Sequence, residues 1–375
     1  MSQILNSSAP RKFRAPGRVN LIGEHTDYND GFVMPAAINL SVFASVWPRD
    51  DRKLQIKSDR FDDEIEFDLN QPNRAAEHHW SDYAVGVAVM LERAGHRLRG
   101  ARLELRGEVP LGSGLSSSAA VEVATACALT AISNVTIDRR ELALLCQRAE
   151  NEYVGARVGI MDQFVSLFGK EQKALLLDCR SLDYKLLPLP DTVNLVICNT
   201  MVKHALAASA YNERRAQCEA GVKHLAQFLP HVRALRDVTL AQLEQYGRDL
   251  PEVVYRRCRH VITENTRVLA AGEALERHDL YRFGELMRGS HFSLRDDYEV
   301  SSWELDVMVE LAFMSDGVYG ARMTGGGFGG CTVNIVDVPY VDEFTSFIAR
   351  QYEHITKLRP EIYVCEASNG AEEIR

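Results

Sequence analysis

Several features that would define a class of function are missing from this sequence. Lysine and arginine number 43 against 52 aspartates and glutamates, so the net charge is −9 and a general nucleic-acid binder is excluded. The longest uncharged stretch, residues 31–48, contains proline, asparagine and serine, which excludes a membrane helix there. No apolar run follows the first basic residues, so no signal peptide is expected.

The spacing of the cysteines argues against disulfide bonds and a structural zinc site. All eight are scattered along the chain, with no CxxC pair and no Cys/His cluster at zinc spacing. We therefore expect neither a disulfide framework nor a structural zinc, but reduced thiols in a cytoplasmic protein.

The sequence has an ordinary globular composition over a long chain. Its 375 residues are 46% hydrophobic, which excludes disorder for most of them. The length is about twice that of a typical domain, so we expect two lobes, residues 1–188 and 189–375, divided near Pro188 and Pro190. Strand-like and helical stretches follow one another without regular alternation, which predicts an α+β fold.

Residues 14–48 have the pattern of a polar loop followed by a strand. Helices are predicted after the serines near residue 116, from Asp138 to Gly155, over Ala208–Phe228 and over Trp303–Phe313.

Residues 17–31, which we call the acidic segment, crowd ionisable groups into a short stretch. Arg18, Glu24, His25 and Asp27 stand there among glycines, and neither a helical nor a strand face explains that density. A polyol ligand would explain it, because each hydroxyl needs both donors and acceptors. A solvated turn capped by Asp27 explains it equally well.

Residues 111–119, LGSGLSSSA, form the serine loop. Two glycines lead directly into a predicted helix, whose free N–H groups and positive dipole end favour a phosphate. The alternative is a plain serine N-cap, but three serines exceed what a cap needs. The absence of a following Gly-Lys-Ser/Thr excludes a Walker loop.

Residues 325–330, the glycine run, match GxGxxG. A dinucleotide site requires a helix after the glycines, whereas CTVNIV here predicts a strand, so dinucleotide binding is rejected. Two interpretations remain: a turn that closes over a phosphate, or a bulged hairpin that serves close packing.

Two further carboxylates stand out. Glu150 lies at the apolar edge of its predicted helix, where the pattern favours a side chain reaching the surface over one that holds a cation. Asp162 stands before an apolar run, as either a helix cap or a sheltered catalytic carboxylate.

Taken together, these segments resemble the GHMP kinases, and among them the galactokinases. GRVNLIGEHTDYNDGFVMP resembles the galactokinase signature, LGSGLSSSAA the phosphate loop of the family and TGGGFGGC its third motif, while VGIMDQF is similar to another galactokinase segment. The motifs occur in the family order. The resemblance implies the two-lobed GHMP fold with the active site in the cleft.

The resemblance also implies roles for individual residues. Arg18 and Asp162 match the catalytic pair, and Ser118 and Glu150 match the Mg²⁺ ligands. The residues implied to contact galactose are Glu24, His25, Asp27, Gly159 and Tyr211. Those implied to contact ATP are Gly112, Ser113, Gly114, Leu115, Ser116, Ser117 and Ser118 at the phosphates, and Trp80 and Tyr83 at the adenine.

The implied reaction is transfer of a phosphoryl group from ATP, with Mg²⁺, to the anomeric hydroxyl of α-D-galactose. The alternatives are another sugar 1-kinase, acting on N-acetylgalactosamine or arabinose, and a silent galactose-sensing regulator. An unbroken serine loop favours an enzyme. We further expect a cytoplasmic protein, monomeric or weakly oligomeric, with no nucleic-acid or membrane partner.

Overall fold

The computed structural model describes residues 9–72, 78–203 and 207–374. Residues 1–8, most of the stretch in which no signal peptide is expected, lie outside them. The strands are β1 (Arg11–Ile22), β2 (Phe32–Arg49), β3 (Lys53–Ser58), β4 (Glu64–Asp68), β5 (Gly100–Gly107), β6 (Lys173–Asp178), β7 (Tyr184–Pro188), β8 (Val193–Lys203), β9 (Val318–Thr324), β10 (Gly329–Asp337), β11 (Glu361–Cys365) and β12 (Glu372–Ile374).

The α-helices are α1 (Asp82–Arg93), α2 (Ser117–Ile132), α3 (Arg139–Arg148), α4 (Met161–Phe168), α5 (Ala207–Leu225), α6 (Leu240–Tyr246), α7 (Glu252–Glu276), α8 (Leu280–Asp296), α9 (Trp303–Phe313) and α10 (Val341–Thr356). A π-helix, Ala149–Val154, continues α3. The described residues form two sheets and many helices without regular alternation, which confirms the α+β prediction.

The first sheet has eight strands in the described residues. Its order is β12-β1-β2-β5-β3-β4, and β6 pairs with both β2 and β7. Strands β3 and β5 are parallel, and the other pairs are antiparallel. Helices α2 and α4 pack against β1 and β2, so the serine loop and Asp162 are both carried next to β1.

The second sheet is antiparallel, with the order β11-β8-β10-β9. Helices α8 and α9 pack against β9. The glycine run forms the turn between β9 and β10, so a strand does follow it, as predicted. A continuous apolar cluster includes Leu21 of β1, Leu195 of β8 and Val268 of α7, which ties the two sheets together.

Strand β1 corrects one prediction. Residues 14–22 were expected to be a polar loop, but they are part of a strand between β12 and β2. From Ala15 to Ile22 every residue is buried. A strand buried on both faces carries no alternation of apolar and polar residues, so the expected signal is absent.

The division into residues 1–188 and 189–375 stays a prediction. Strand β7 ends at Pro188 and β8 begins at Val193, which agrees with a boundary there. The end of the chain nevertheless returns to the first sheet, where Ile374 of β12 pairs with Lys12 of β1.

Candidate active site

A cavity of about 590 Å³ lies where the acidic segment, the serine loop and the glycine run meet. Its walls bring together seven of the residues singled out in the sequence: Arg18, Glu24, His25, Asp27, Gly159, Asp162 and Tyr211. These residues are separated by up to 193 positions in the chain, so the fold alone makes them neighbours.

Arg18 and Asp162 form a two-point ion pair at the floor of this cavity. Arg18 Nε donates to Asp162 Oδ1 at 2.7 Å and Nη2 donates to Oδ2 at 2.8 Å, while Nη1 donates to the carbonyl of Gly114 at 2.6 Å. Burial works against the charge of Arg18, but Asp162 outweighs it, so the pKa of Arg18 is raised. The Ser116 hydroxyl also donates to Asp162 Oδ2.

The acidic segment turns sharply after β1. His25 has φ 63, the left-handed region that a non-glycine residue adopts at a cost of about 1–3 kcal/mol. The turn is closed by Thr26, whose hydroxyl donates to the carbonyls of Gly23 at 2.8 Å and Phe32 at 2.7 Å. Asn29 Nδ2 donates to the carbonyl of His25 at 2.9 Å. The segment is a fixed turn, not a solvated loop.

Glu24 is buried and connects the acidic segment to strand β9 and the glycine run. Its Oε1 accepts the N–H of Gly325 at 2.7 Å, and Arg322 Nη1 lies 3.5 Å from the same oxygen. Burial raises the pKa of Glu24 although Arg322 and Arg18 oppose that effect.

His25 stands among tyrosines. Its Nδ1 is 2.7 Å from the Tyr28 hydroxyl, which is 2.8 Å from the hydroxyl of Tyr298. The rings of Tyr211 and Tyr298 lie 5.5 and 4.7 Å from the His25 ring. Burial lowers the pKa of His25 to about 3, so the imidazole is neutral at physiological pH.

Asp27 lies directly against the backbone of Gly159. A Cβ atom on residue 159 would be 1.9 Å from Asp27 Oδ2, so only glycine fits beside this carboxylate. Burial raises the pKa of Asp27 to about 7, and the charge of Asp162 acts in the same direction. Asp27 is therefore poised to change charge near neutral pH.

The serine loop lies at the other side of the Arg18–Asp162 pair. Its glycines, Gly112 and Gly114, have φ 67 and 80, and Ser116 is also left-handed at φ 57. Gly112 and Gly114 are exposed. Two residues of the loop turn away from solvent: Leu115 is in the core, and the Ser113 hydroxyl donates to the carbonyl of Pro110 at 2.8 Å.

Glu150 is only 7% exposed, so the surface position that the pattern favoured is wrong. The α3 helix widens into the π-helix at Ala149, which changes the direction of each following side chain. Gln163 Nε2 donates to Glu150 Oε2 at 2.7 Å and to Glu122 Oε2 at 2.9 Å. Burial raises the pKa of Glu150 to about 7, while Ser118 and Gln163 hydrogen-bond it and oppose that rise.

A second cavity of about 250 Å³ adjoins the serine loop, which contributes Gly112, Ser117 and Ser118 to its wall. Trp80 and Tyr83 line it as well. Trp80 stacks on Phe61, with ring centroids 5.1 Å apart and planes 4° apart. Its Nε1 donates to Asp63 Oδ1 at 2.8 Å, which fixes the orientation of the indole.

The glycine run packs against the serine loop. A Cβ on Gly325, at φ 84, would lie 3.2 Å from the carbonyl oxygen of Gly114. A Cβ on Gly327 would lie 2.2 Å from the carbonyl oxygen of Val300. Close packing of backbones therefore requires these glycines, and the Gly325 N–H is at the same time used by Glu24.

The comparisons with known proteins cover nearly the whole chain. Residues 2–48 match the galactokinase galactose-binding signature, residues 82–170 the GHMP kinases N-terminal domain and residues 272–354 the GHMP kinases C-terminal family. The galactokinases of Roseiflexus sp. (strain RS-1) and Chloroflexus aggregans (strain MD-66 / DSM 9485) are each 48% identical over 357 residues. Those residues are 95% of this chain and 91% and 92% of the two relatives.

The chain belongs to the galactokinases of the GHMP kinase family. The crystal structure of Lactococcus lactis galactokinase complexed with galactose matches it with a TM-score of 0.94 and 38% identity, over 97% of this chain and 95% of that one. Methanococcus jannaschii mevalonate kinase, at 17% identity, shares the fold with a TM-score of 0.68, over 97% of this chain and all of that one. The predicted GHMP kinase fold is confirmed.

Sequence reasoning missed several residues that the structure places at the cavity or behind it. They are Tyr28, Glu122, Gln163, His260, Glu264, Tyr298 and Arg322. Gln163 adjoins Asp162, so the motif could have included it. Glu122, His260, Glu264 and Arg322 stand in helical or strand patterns that carry no local sign of a site, and Tyr298 lies in the connection after α8.

In the part of the chain that the structure describes, the helices lack either the length or the apolar character needed to cross a bilayer.

Proposed function

We propose that this protein is an ATP-dependent galactokinase, which phosphorylates the anomeric hydroxyl of α-D-galactose. The observation that carries the proposal is the position of Asp162. It lies on the floor of the main cavity, held by Arg18, between the acidic segment on one side and the serine loop on the other. A carboxylate at that junction can accept a proton from a sugar hydroxyl that lies next to a phosphate bound at the serine loop.

The sugar belongs on the acidic side of the cavity. Asp27 supplies an acceptor beside the backbone of Gly159, Glu24 supplies a buried carboxylate, and neutral His25 supplies one ring nitrogen. The Tyr211 ring, 5.3 Å from that of Tyr28, adds a flat apolar surface for the sugar carbons. Mixed polar groups on an apolar wall are what a hydroxyl-rich ligand requires.

ATP belongs on the serine side. Its phosphates would meet the free N–H groups at the start of α2, where the glycines leave the backbone open. The second cavity adjoins this loop, and its stacked Trp80 and its Tyr83 offer aromatic surface for the adenine. The two cavities share Gly112, so one nucleotide can extend from the second cavity to Asp162.

The chemistry of Ser118 and Glu150 fits Mg²⁺. A hydroxyl and a carboxylate are hard oxygen donors, and Ser118 hydrogen-bonds Glu150. Within the described residues, His, Cys, Asp and Glu do not gather in groups of three or more around a metal position. Nucleotide-bound Mg²⁺ needs only one or two protein ligands. When bound, Mg²⁺ neutralises charge on the phosphates.

In the proposed reaction the Asp162 carboxylate accepts the proton of the anomeric hydroxyl as the sugar oxygen bonds to the γ-phosphorus, while the bond from that phosphorus to ADP breaks and ADP leaves. Arg18 donates to both Asp162 oxygens, which fixes the orientation of the carboxylate, and its charge favours the transferring phosphoryl group. Because phosphoryl transfer is usually loose, the proton could instead leave late, and Asp162 would then only orient the hydroxyl.

The test is release of ADP over a panel of galactose, N-acetylgalactosamine, arabinose and glucose, with the product identified by phosphorus NMR. Galactose 1-phosphate as the main product supports the proposal. A higher kcat/KM for N-acetylgalactosamine or arabinose would identify another sugar 1-kinase. Galactose binding without ADP release would identify a sensor.

The proposed use of ATP by this protein favours a location in the cytoplasm. The division into lobes at residue 188, and a monomer or weak oligomer, are part of the same proposal.

A further inference from the structure

Helix α7 does not line the main cavity, but it contacts the backbone of the acidic segment at two positions and that of the next residue, Phe32, at a third. His260 Nε2 is 3.1 Å from the carbonyl oxygen of Glu24. One turn later, Glu264 Oε1 accepts the N–H of Gly23 at 2.9 Å. Asn265 Oδ1 accepts the N–H of Phe32 at 2.8 Å. These hydrogen bonds hold both ends of the turn that contains Glu24, His25 and Asp27.

The contact with the Glu24 carbonyl determines the tautomer of His260. A carbonyl oxygen only accepts, so Nε2 must carry the hydrogen. Burial lowers the pKa of His260 to about 4, so the ring is neutral and Nδ1 accepts a hydrogen bond. The Ser293 hydroxyl, 2.9 Å away, is the donor nearest to Nδ1, and it also lies 3.3 Å from Asp297 Oδ2. The ring is thereby held in one tautomer with both nitrogens used.

The Glu264 carboxylate is fully buried, and both of its oxygens accept hydrogen bonds. Besides Gly23, it accepts the Ser290 hydroxyl at 2.5 Å through Oε1 and Arg267 Nε at 2.7 Å through Oε2. Arg267 lowers the pKa of Glu264 to about 2 against the effect of burial, which acts to raise it. It remains an ionised acceptor for the Gly23 N–H.

These contacts surround a strained residue. His25 is left-handed and lies between Glu24, held by His260, and a turn whose far end is held by Asn265. A backbone conformation that costs free energy persists only where its surroundings fix it. The hydrogen bonds from α7 provide that fixation from a distant part of the chain.

We propose that His260, Glu264 and Asn265 are positioning residues which set galactose affinity by holding the acidic segment, without touching the sugar. The proposal rests on the proposed sugar-binding role of that segment. It predicts that the contact between His260 and Glu24 can be weakened with loss of galactose affinity and no loss of ATP affinity.

Two amide variants of different length separate this role from general stability. In His260→Gln the amide can reach the Glu24 carbonyl, as Nε2 does, whereas in His260→Asn the shorter amide keeps only the side of Ser293. We expect His260→Asn to weaken galactose binding about tenfold, and His260→Gln to remain within about threefold of the wild type. Galactose and ATP dissociation constants are measured by calorimetry and unfolding temperatures by circular dichroism.

The control is Ile262→Ala, on the side of α7 that packs into another apolar cluster. It should lower the unfolding temperature and leave galactose affinity unchanged. Equal galactose affinity of the two His260 variants would overturn the proposal. If Asp27→Ala loses affinity in the same assay, the sugar site stands and only the role of α7 fails. If Asp27→Ala also binds normally, the sugar site itself is wrong.

Discussion

The two sides of the cavity are built in different ways. The acidic segment is buried and closed: Glu24 and His25 are 3% and 4% exposed, and hydrogen bonds hold its backbone from within and from α7. The serine loop is open: Leu111 is 45% exposed, and Gly112 and Gly114 face solvent. Hydrogen bonds within the protein fix the polar groups of the first, whereas the second exposes its glycine backbone at the start of α2.

This difference suits the two substrates. A neutral sugar offers only hydroxyl groups, so affinity and specificity depend on donors and acceptors already in place. A nucleotide brings its own charge, its own metal ion and many acceptor oxygens, and an open helix start suffices to receive it. Asp162 and Arg18 lie between the two sides: they pair with each other, and both also hydrogen-bond the serine loop.

The largest expected effect is at that boundary. If Asp162 is a base, Asp162→Asn should lower the single-turnover rate at saturating galactose and ATP by about 10²–10⁴-fold. Galactose affinity should change little, since asparagine keeps the size and can still hydrogen-bond the sugar. Rapid-quench measurement of both proteins gives the ratio, and a loss below about tenfold would mean that Asp162 only orients the hydroxyl.

The next effect concerns the closed side alone. Asp27→Ala should weaken galactose binding by roughly 5- to 150-fold, because a buried sugar hydroxyl would lose its acceptor. Asp30→Asn is the control, since Asp30 pairs with Arg180 outside the cavity and its left-handed backbone, at φ 57, is one that asparagine tolerates. Calorimetry on both variants should separate them; native galactose affinity in Asp27→Ala would leave Asp27 as a turn residue.

The open side is expected to respond to metal. Ser118→Ala and Glu150→Gln should each raise the Mg²⁺ concentration needed for half-maximal rate by roughly 10- to 100-fold, with galactose affinity unchanged. The matched controls are Ser133→Ala, at the other end of α2, and Glu152→Gln, two residues along the same π-helix. An unaltered Mg²⁺ requirement in both test variants would remove these residues from the metal site.

The smallest effect is one of pH. The pKa of Asp27 is raised to about 7, and a sugar hydroxyl that donates to the carboxylate favours its ionised form. Galactose binding should therefore release a proton and weaken as the pH falls below that value, by about tenfold between pH 8 and pH 6. Calorimetry in buffers of different ionisation enthalpy measures the proton. Asp27→Asn should show neither proton release nor pH dependence, and a wild type insensitive to pH would contradict the assignment.

The motifs predicted from sequence are the parts of the site that are local in the chain. Arg18, Glu24, His25 and Asp27 are close together in sequence, so their density was visible before any fold was known. The helix after the serine loop and the strand after the glycine run were equally visible, because turns and periodicity are local signals.

The remaining features depend on contacts between distant residues. Arg322 and Glu264 are single charges in a strand and a helix, and only the packing of α7 and β9 on β1 brings them to the acidic segment. The burial of Glu150 follows from a π-helical widening that residue periodicity does not encode. Strand β1 was missed because both of its faces are buried.

The central claim is that the sugar side is complete without nucleotide, and one measurement tests it most directly. Galactose is titrated into the protein without ATP or Mg²⁺, by calorimetry, for the wild type, Asp27→Ala and Ser118→Ala. We predict that the wild type and Ser118→Ala bind galactose with equal affinity and that Asp27→Ala binds it at least about fivefold more weakly. Galactose binding that requires nucleotide, or that is lost in Ser118→Ala and kept in Asp27→Ala, would contradict the account.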